Sequence, residues 1–271
     1  MINLTILSSH PGLSLIIILI GFVVAIVSAQ NDPYYTTTDL GSFNHNAATG
    51  NPLKGFLSSP DWNSVQQLNS FPTSLEFYYV GLNKVMTDYN TFDWDTYLEP
   101  RLNNSESRNR HVILRFILDY PTEPSYVPQF LIDDGLTFKN YSAYGGGQSP
   151  DYNNTNLRTA LLQFIQAFGE RYDGDTRIGF VQVGLLGFWG EWHTYTDGTT
   201  DDWIPGSLKN DVVSSFQTYF STTPIQVRYP WPAAIDAGFG LHDDSFAYAT
   251  LDGVYNGGIN VAWFFWRLVQ E

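Results

Sequence analysis

FVQVGLLGFWGEWHTY, residues 180–195, is the stretch of sequence that decides the fold. Its first half, from Phe180 to Leu186, is mostly apolar and is typical of a parallel strand that is covered on both faces. After Gly187 the sequence brings a carboxylate, an imidazole and two indoles into the five positions 189–193. In an eight-stranded β/α barrel, catalytic groups extend from the carboxyl ends of the strands, so Glu191 is a catalytic candidate.

Strands and helices alternate along the rest of the chain. Apolar residues at helical spacing predict helices over Thr91–Leu102, Thr155–Tyr172 and Pro205–Phe220. Besides the opening stretch, strands are predicted near Gly55 and within Ser74–Val85, His111–Pro121, Ile225–Trp231 and Gly238–Phe246. This alternation predicts a parallel α/β structure, and about six strands predict an incomplete, TIM-barrel-like (β/α)8 fold.

Two segments between or after these elements need separate interpretations. Pro121–Thr155 is long for a connection in a compact domain and is interpreted as a lid or cleft wall. Ala262–Trp266 is an apolar aromatic run close to the last residue, with little chain after it to cover it. Since a barrel domain takes roughly 250 residues, we expect residues 51–271 to be a barrel domain that is truncated at its C-terminus.

The composition excludes several classes of function. With 13 basic and 27 acidic residues the net charge is −14, which argues against nucleic acid as a partner. The chain has no cysteine, so disulfides and thiol catalysis are excluded. Aromatic residues make up 16% of the chain, and their flat faces with polar edges suit the stacking of sugars. We expect a neutral or weakly charged carbohydrate ligand, and the oligomeric state stays open.

The N-terminal sequence predicts export. An apolar run over Leu13–Val27 is followed by Ser28 and Ala29, small residues of the kind that signal peptidase reads. Residues 1–29 are therefore interpreted as a signal peptide and residues 30–50 as an irregular segment, with an uncleaved signal anchor as the alternative. After cleavage no membrane association is predicted. Glycosylation sequons at Asn103, Asn140 and Asn153 are compatible with a secreted glycoprotein.

Charged residues inside the predicted strands need partners. Arg115 lies within an apolar strand, and an unpaired buried charge is unfavourable. It is predicted either to pair with a carboxylate, the slightly favoured alternative, or to bind an oxygen of the ligand. Glu76 is predicted with equal weight to be an acid of the barrel interior or an exposed residue. The histidine and acid spacing around Glu191, His193, His242 and Asp243 matches no zinc motif, so neither a metal nor a cofactor is predicted.

Several segments carry a resemblance to a known family. They are Asn51–Phe56, Arg115 with Asp119–Pro121, Gly187–His193, Arg228–Pro230 and Leu241–Phe246. Over about 51–252 the chain resembles secreted proteins that carry a paired domain of unknown function, which are regarded as barrel-type and similar to glycoside hydrolases. Asp243 stands where that pattern has Asn, and the C-terminal part of the second domain is missing.

The resemblance implies a pair of catalytic carboxyl groups. In barrel glycosidases that this chain resembles, the acid follows the fourth strand, which is the place of Glu191, and the second carboxylate follows the seventh strand, which this chain lacks. Asp119, Asp244 and Asp252 are possible substitutes between which the sequence does not choose. Tryptophans on both sides of Glu191 would lower the local dielectric constant and favour the neutral acid. Alternatively, Glu191 pairs structurally with an arginine across the barrel.

The sequence therefore predicts a secreted glycoside hydrolase that acts on a poly- or oligosaccharide with Glu191 as general acid and base. The alternative is a non-catalytic, carbohydrate-binding barrel protein, or a truncated inactive fragment of an enzyme. The residues that we expect at the ligand are Arg115, Asp119, Trp189, Trp192, His193, Arg228, Tyr229, Trp231, His242, Asp243 and Asp244.

Overall fold

The structure, a computed structural model, describes residues 13–19, 23–29, 53, 56–62, 68, 73–194, 202–244, 253–255 and 258–260. The chain divides into two compact units, residues 1–50 and 51–271. In the first unit, Leu13–Leu19 and Val23–Ala29 form two antiparallel strands. None of the described helices is both long and apolar enough to cross a membrane. The signal peptide at residues 1–29 stays a prediction.

A parallel sheet forms the centre of the second unit. Over the described residues its six strands are β1 (Phe56–Ser58), β2 (Thr73–Gly81), β3 (His111–Ile117), β4 (Ile178–Gln182), β5 (Ile225–Val227) and β6 (Gly240–Leu241). They lie side by side in chain order, and each neighbouring pair is parallel.

Helices connect these strands. They are α1 (Trp94–Ser107), α2 (Gln129–Asp133), α3 (Thr155–Tyr172), α4 (Gly206–Tyr219) and α5 (Pro232–Asp236). Together with the sheet they form a curled half-barrel, which confirms the predicted α/β class and the incomplete, TIM-barrel-like (β/α)8 fold. The predicted aromatic run Ala262–Trp266 lies outside the described residues.

Alternation along the strands separates two hydrophobic regions. Leu114 of β3 belongs to the large core between the sheet and the helices, whereas its neighbour Ile113 clusters with Leu75 and Phe77 on the inner face of the sheet. Arg115 has the same parity as Ile113. The strand period therefore places a guanidinium inside the barrel.

Side-chain caps mark the starts of two helices: α1 begins at Trp94, three residues after the predicted start at Thr91, and α3 begins at the predicted Thr155. Asp93 Oδ1 accepts a hydrogen bond of 3.0 Å from the backbone N–H of Thr96 at the start of α1, and Asn154 caps α3 through its side-chain oxygen. The bounds of α3 agree with the predicted ones. Helix α1 continues to Ser107, five residues past the predicted end at Leu102.

Glu76 is a buried acid on the outer face of β2. Arg108 donates two hydrogen bonds to its carboxylate, at 2.8 and 2.6 Å, and Ser105 donates a third at 2.5 Å. Such pairing is what allows a carboxylate to be buried. The residue is therefore neither exposed nor in the barrel interior, the two positions that the sequence predicts, and it joins β2 to α1.

The segment Pro121–Thr155 contains regular structure. It holds helix α2 and a hairpin whose strands, Phe138–Tyr141 and Gly147–Pro150, pair in antiparallel register. The hairpin contacts the stretch after β4, because the rings of Tyr141 and Phe188 lie 4.3 Å apart. The sequence predicts a lid or cleft wall here, and the structure has a hairpin segment that packs on the loop carrying Glu191.

Candidate active site

A polar layer crosses the inner face of the sheet. Arg115 of β3 stands in register with Tyr79 of β2 and Gln182 of β4. Its guanidinium donates to the Tyr79 hydroxyl at 3.1 Å and to Gln182 Oε1 at 2.8 Å from Nε and 2.5 Å from Nη2. Because neighbouring parallel strands align these positions, three strands hold one fully buried cation in place.

Two carboxylates reach the same nitrogen of Arg115. Asp244 Oδ2 lies 2.8 Å from Nη1, with Oδ1 at 3.0 Å from Nη2, and Glu191 Oε1 lies 3.9 Å from Nη1. Burial acts to lower the pKa of Arg115, but Tyr79 and the two carboxylates outweigh it and the pKa is raised. The contact with Asp244 confirms the expected pairing of Arg115 with a carboxylate.

A second buried arginine lies beside the first. Arg228 Nη1 is 3.2 Å from Asp243 Oδ1, and its Nε is 3.8 Å from Asp244 Oδ2. Burial lowers the pKa of Arg228, an effect that Glu191 and the two aspartates oppose. Asp244 thus lies between two guanidinium groups.

His242 completes this charge cluster. Its Nδ1 lies 3.1 Å from Asp244 Oδ1 and 3.2 Å from Arg115 Nη2. Burial lowers the pKa of His242 to about 4, so the imidazole is neutral at pH 7. Although burial acts to raise the pKa of Asp244, His242 and Arg115 hold it well below its usual value, and the carboxylate is ionised.

The loop that carries Glu191 has an unusual backbone. Leu185, Trp189 and Trp192 adopt φ angles of 66°, 54° and 66°, in the left-handed region that bulky residues rarely occupy. The loop is held by the backbone N–H of Trp189, which donates to Asp119 O at 2.9 Å, and by the N–H of Gly187, which donates to the Tyr152 hydroxyl at 2.8 Å. Strained backbone held in this way is common at functional sites.

Strand β4 ends earlier than the apolar run that predicts it. The strand stops at Gln182, whereas the apolar run continues to Leu186. At Gly184 the backbone approaches β3 so closely that a Cβ would overlap the carbonyl oxygen of Phe116. Leu185 and Leu186, which belong to the apolar run that predicts the strand, therefore lie at the buried base of a loop. This loop begins before Gly187.

Glu191 faces a cavity of about 610 Å³ above the polar layer. Its side chain is 17% exposed, and its Oε2 lies 3.4 Å from His193 Nε2. Glu191 and Asp244 approach one nitrogen to 3.9 and 2.8 Å, so these two oxygens are at most the sum of those distances apart, about 6.7 Å. The cavity is lined by Leu57, Trp62, Phe77, Tyr79, Tyr120, Gln182, Trp189, Glu191, Asp243 and Asp244.

Four of the predicted site residues, Trp189, Glu191, Asp243 and Asp244, line this cavity. Four others support it from below or from the side through contacts with these carboxylates. They are Arg115, Arg228, His242 and His193. Arg115 and Arg228 form ion pairs with carboxylates. The sequence predicts such a pairing for Arg115.

Trp192 and Asp119 lie beneath the site and not in it. Trp192 is fully buried and donates from its indole Nε1 to Gly184 O at 3.1 Å, so it has no face for a sugar. Asp119 is buried and accepts a 2.5 Å hydrogen bond from the Tyr141 hydroxyl. Burial raises the pKa of Asp119 to about 6, although the hydrogen bond from Tyr141 opposes the shift.

Tyr229 and Trp231 face away from the cavity, contrary to expectation. Lys209 of α4 lies over both rings, 5.6 Å from the centroid of Tyr229 and 4.9 Å from that of Trp231. The indole of Trp231 also donates to Asn210 Oδ1 at 2.6 Å. Both aromatic residues therefore join β5 to the helix layer.

Sequence reasoning missed most of the aromatic wall. Tyr79 and Gln182 share register and parity with Arg115, and that pattern is the signal that would have found them. Tyr120 follows Asp119 directly at the end of the third strand. Trp62 carries no sequence signal of its own, because only the fold brings it beside Tyr79, with ring centroids 5.9 Å apart.

The described residues include no group of three or more histidine, aspartate or glutamate side chains arranged to hold a metal ion. The charge cluster instead combines carboxylates with arginines. Such an arrangement can hold one acid ionised next to a second acid, and it can position both against a bound ligand.

No protein-family model matches the chain, and no curated protein matches it. Solved structures that are similar include endo-glycoceramidase II from Rhodococcus sp. as its lactosyl-enzyme intermediate, with 10% identity and a TM-score of 0.41 over 57% of this chain and 41% of that enzyme. The five-membered iminocyclitol complex of the same enzyme gives 13% identity and a TM-score of 0.42 over 64% and 45%. The chain thus spans less than half of these enzymes, and a likeness this weak assigns no activity to it.

Proposed function

We propose that this protein is a glycoside hydrolase in which Glu191 is the general acid and base and Asp244 is the second carboxylate. The observation that carries the proposal is the approach of both carboxylates to one nitrogen of Arg115, at the wall of an aromatic-lined cavity. Glycosidases need two carboxyl groups in different protonation states on either side of the bond that is cleaved. Glu191 follows the fourth strand of the half-barrel, the place that the resemblance implies for the acid.

The two carboxylates are assigned different roles. Asp244 is held ionised by Arg115 and His242, so it suits the group that attacks or stabilises the anomeric carbon. Glu191 has no such tight arginine contact and can give its proton to the leaving glycosidic oxygen. In the second step it takes a proton from water, whose oxygen replaces the carboxylate on the anomeric carbon.

The cavity wall suits a sugar. Trp189 and Tyr120 line it close to Glu191, and such rings bind the apolar faces of sugars while carboxylates and amides bind the hydroxyls. Gln182 adds an amide at the base of the cavity.

We include secretion and glycosylation in the proposal. The apolar run and small residues before Gln30 support export. Asn103, Asn140 and Asn153, the acceptor residues of the three sequons, are all exposed. N-terminal sequencing of the secreted protein should find Gln30 first, and enzymatic deglycosylation with PNGase F should reduce its mass. An intact N-terminus would leave the signal-anchor alternative.

The test of the enzyme is turnover of a panel of purified poly- and oligosaccharides. Wild-type protein should release reducing ends from at least one glycan, and Glu191→Gln and Asp244→Asn should each lower kcat by at least about 100-fold. The matched control is Glu170→Gln on the exposed side of α3, which should leave kcat unchanged. Equal activity of Glu191→Gln and wild type would remove Glu191 from the mechanism.

One observation favours a non-catalytic carbohydrate-binding protein as the second candidate. Each carboxylate of the cavity has an arginine within 4 Å, which is also what a purely structural charge cluster requires. If the protein cleaves no glycan of the panel but binds one in a Trp189-dependent way, the second candidate holds and the enzyme is excluded.

A further inference from the structure

A second, smaller chamber adjoins the cavity that contains Glu191. It has a volume of about 280 Å³ and shares three wall residues, Trp62, Tyr79 and Tyr120, with the larger cavity. Its other lining residues are Asp61, Gly81, Tyr97, Ile117, Glu123 and Tyr126. The two chambers are therefore neighbours that share one aromatic wall.

Aromatic rings run continuously between the two chambers. The ring centroids of Trp62 and Tyr79 are 5.9 Å apart, those of Tyr79 and Tyr120 5.6 Å, and those of Tyr120 and Trp189 6.3 Å. Trp62 is 64% exposed at the shared rim. An indole with this much apolar surface in water, next to two cavities, gains by covering its face with a ligand.

The charges of the cleft restrict what that ligand can be. Among the described residues that line the two chambers there is no lysine, arginine or histidine, but there are the carboxylates Asp61, Glu123, Glu191, Asp243 and Asp244. The nearest cations, Arg115, Arg228 and Arg101, already lie within 4 Å of these carboxylates. An anionic sugar would meet like charge, whereas uncharged sugars can donate hydroxyl hydrogen bonds to the carboxylates.

We propose that the ligand is an uncharged glycan chain of several sugar units, which occupies both chambers and stacks on Trp62 where they meet. The proposal rests on the proposed function and adds the substrate class and a residue that determines chain-length specificity. Trp62 supplies a stacking face that both chambers share, and it takes no part in the bond that is cleaved. The enzyme would then cut within chains, because sugar units are held on the far side of Trp62 from the acid.

Binding is measured with the full chain carrying Glu191→Gln, which prevents turnover, by isothermal titration calorimetry. The probes are cello-, laminari-, manno- and chito-oligosaccharides from disaccharide to hexasaccharide, with oligogalacturonides as charged counterparts. In at least one uncharged series we expect Kd to fall at least about tenfold from disaccharide to hexasaccharide, the gain from one additional stacked sugar. Trp62→Ala should abolish that fall, so that disaccharide and hexasaccharide bind with similar Kd.

The matched control is Phe56→Ala, which removes an equally exposed aromatic residue, 67% exposed, that lines neither chamber. It should keep the dependence on chain length. The proposal is overturned if no uncharged series binds with a length dependence, if Trp62→Ala keeps that dependence, or if oligogalacturonides bind most tightly. Length-dependent binding without hydrolysis by the wild type would instead refute the proposed function alone.

Discussion

Arg115 is the residue on which the site depends. One buried guanidinium binds Tyr79 and Gln182 on the two neighbouring strands and holds Asp244 from the edge of the sheet. Burial makes each of these contacts stronger than it would be in water, and it also makes the loss of any charge partner costly. The same residue thus stabilises the half-barrel and sets the charge of the candidate catalytic carboxylate.

Arg115→Met should therefore destabilise the protein strongly. The substitution removes one of the two arginines that contact Asp244, and it removes the guanidinium that donates hydrogen bonds to Gln182. We therefore expect the free energy of unfolding to fall by about 3 kcal/mol in urea denaturation. Arg171→Met is the control, because Arg171 pairs with Asp95 on the exposed surface and its loss should cost at most about 1 kcal/mol. Equal effects of the two substitutions would contradict the central role of Arg115.

Asp119 should make stability depend on pH. The pKa of Asp119 is raised to about 6 in the folded state, above the unfolded value of 3.8. Ionisation therefore disfavours folding, and stability is lost as the pH rises from the unfolded pKa to the folded pKa. Asp119→Asn keeps an oxygen for the Tyr141 hydroxyl but cannot ionise. We expect it to match the wild type at pH 4 and to be more stable at pH 8, by up to about 3 kcal/mol.

Urea denaturation at both pH values measures the effect of Asp119→Asn. Asp236→Asn on the exposed surface of α5 is the control and should not reproduce the trend. If Asp119→Asn is less stable than the wild type at pH 8, ionised Asp119 stabilises the fold. That outcome would contradict the prediction, which assumes that burial disfavours the ionised carboxylate.

The separation of the two carboxylates leads to a stereochemical prediction. Glu191 Oε1 and Asp244 Oδ2 are at most about 6.7 Å apart, a limit that accommodates the spacing of about 5–5.5 Å in retaining enzymes. We expect the first product to keep the anomeric configuration of the substrate, as followed by proton NMR during turnover. Inversion would show that Asp244 is not the nucleophile.

At the scale of elements, the loop after β4 is the part in which local structure and function are most closely linked. Its backbone turns repeatedly through left-handed conformations, and hydrogen bonds such as Glu191 N to Phe188 O at 2.9 Å hold these turns. The strain is offset by the core that Trp192 and Leu186 join.

Gly187→Ala should disturb this loop. Gly187 has a φ of 74°, and a Cβ there would overlap the carbonyl oxygen of His193. We expect a loss of about 2–3 kcal/mol in the free energy of unfolding, and at least about a tenfold loss of kcat as Glu191 moves.

The matched control for Gly187→Ala is Gly135→Ala. Gly135 has a φ of 87°, but no described atom lies within 4 Å of the position that an alanine methyl group would take. This variant should show only the backbone cost of about 1 kcal/mol and normal kcat. If both variants behave alike, the close approach to His193 does not matter and the explanation of the loop is wrong.

At the scale of the whole molecule, the net charge of −14 sets how the protein responds to salt. Excess like charge destabilises a compact state, and added salt screens it. We expect Tm to rise by roughly 2 °C or more between about 0.02 M and 0.5 M NaCl in differential scanning calorimetry. The measurement uses sodium chloride and not a sulfate salt, because sulfate also strengthens apolar burial. A fall in Tm would mean that the ion pairs outweigh the net repulsion.

Local patterns in the sequence predict much of the molecule. The sequence predicts helix α3 at its observed bounds, because its apolar residues repeat at helical spacing. The structure adds that Asn154 caps the helix. The α/β class also follows from the alternation of strand and helix patterns along the chain. The sequence likewise identifies Glu191, Asp243 and Asp244, since carboxylates that follow apolar strands are rare enough to be noticed.

Only the tertiary structure decided which aromatic residues line the cavity and which aspartate approaches Arg115 beside Glu191. Trp189 and Trp192 both flank Glu191 in the sequence, yet Trp189 lines the cavity whereas Trp192 is fully buried. Left-handed backbone turns point the two indoles in different directions. Asp244 is favoured over Asp119 by its contact with Arg115, across 129 residues of chain. Spacing along a strand or helix is set by neighbours in sequence, whereas these contacts depend on how distant strands align, and no local pattern encodes that alignment.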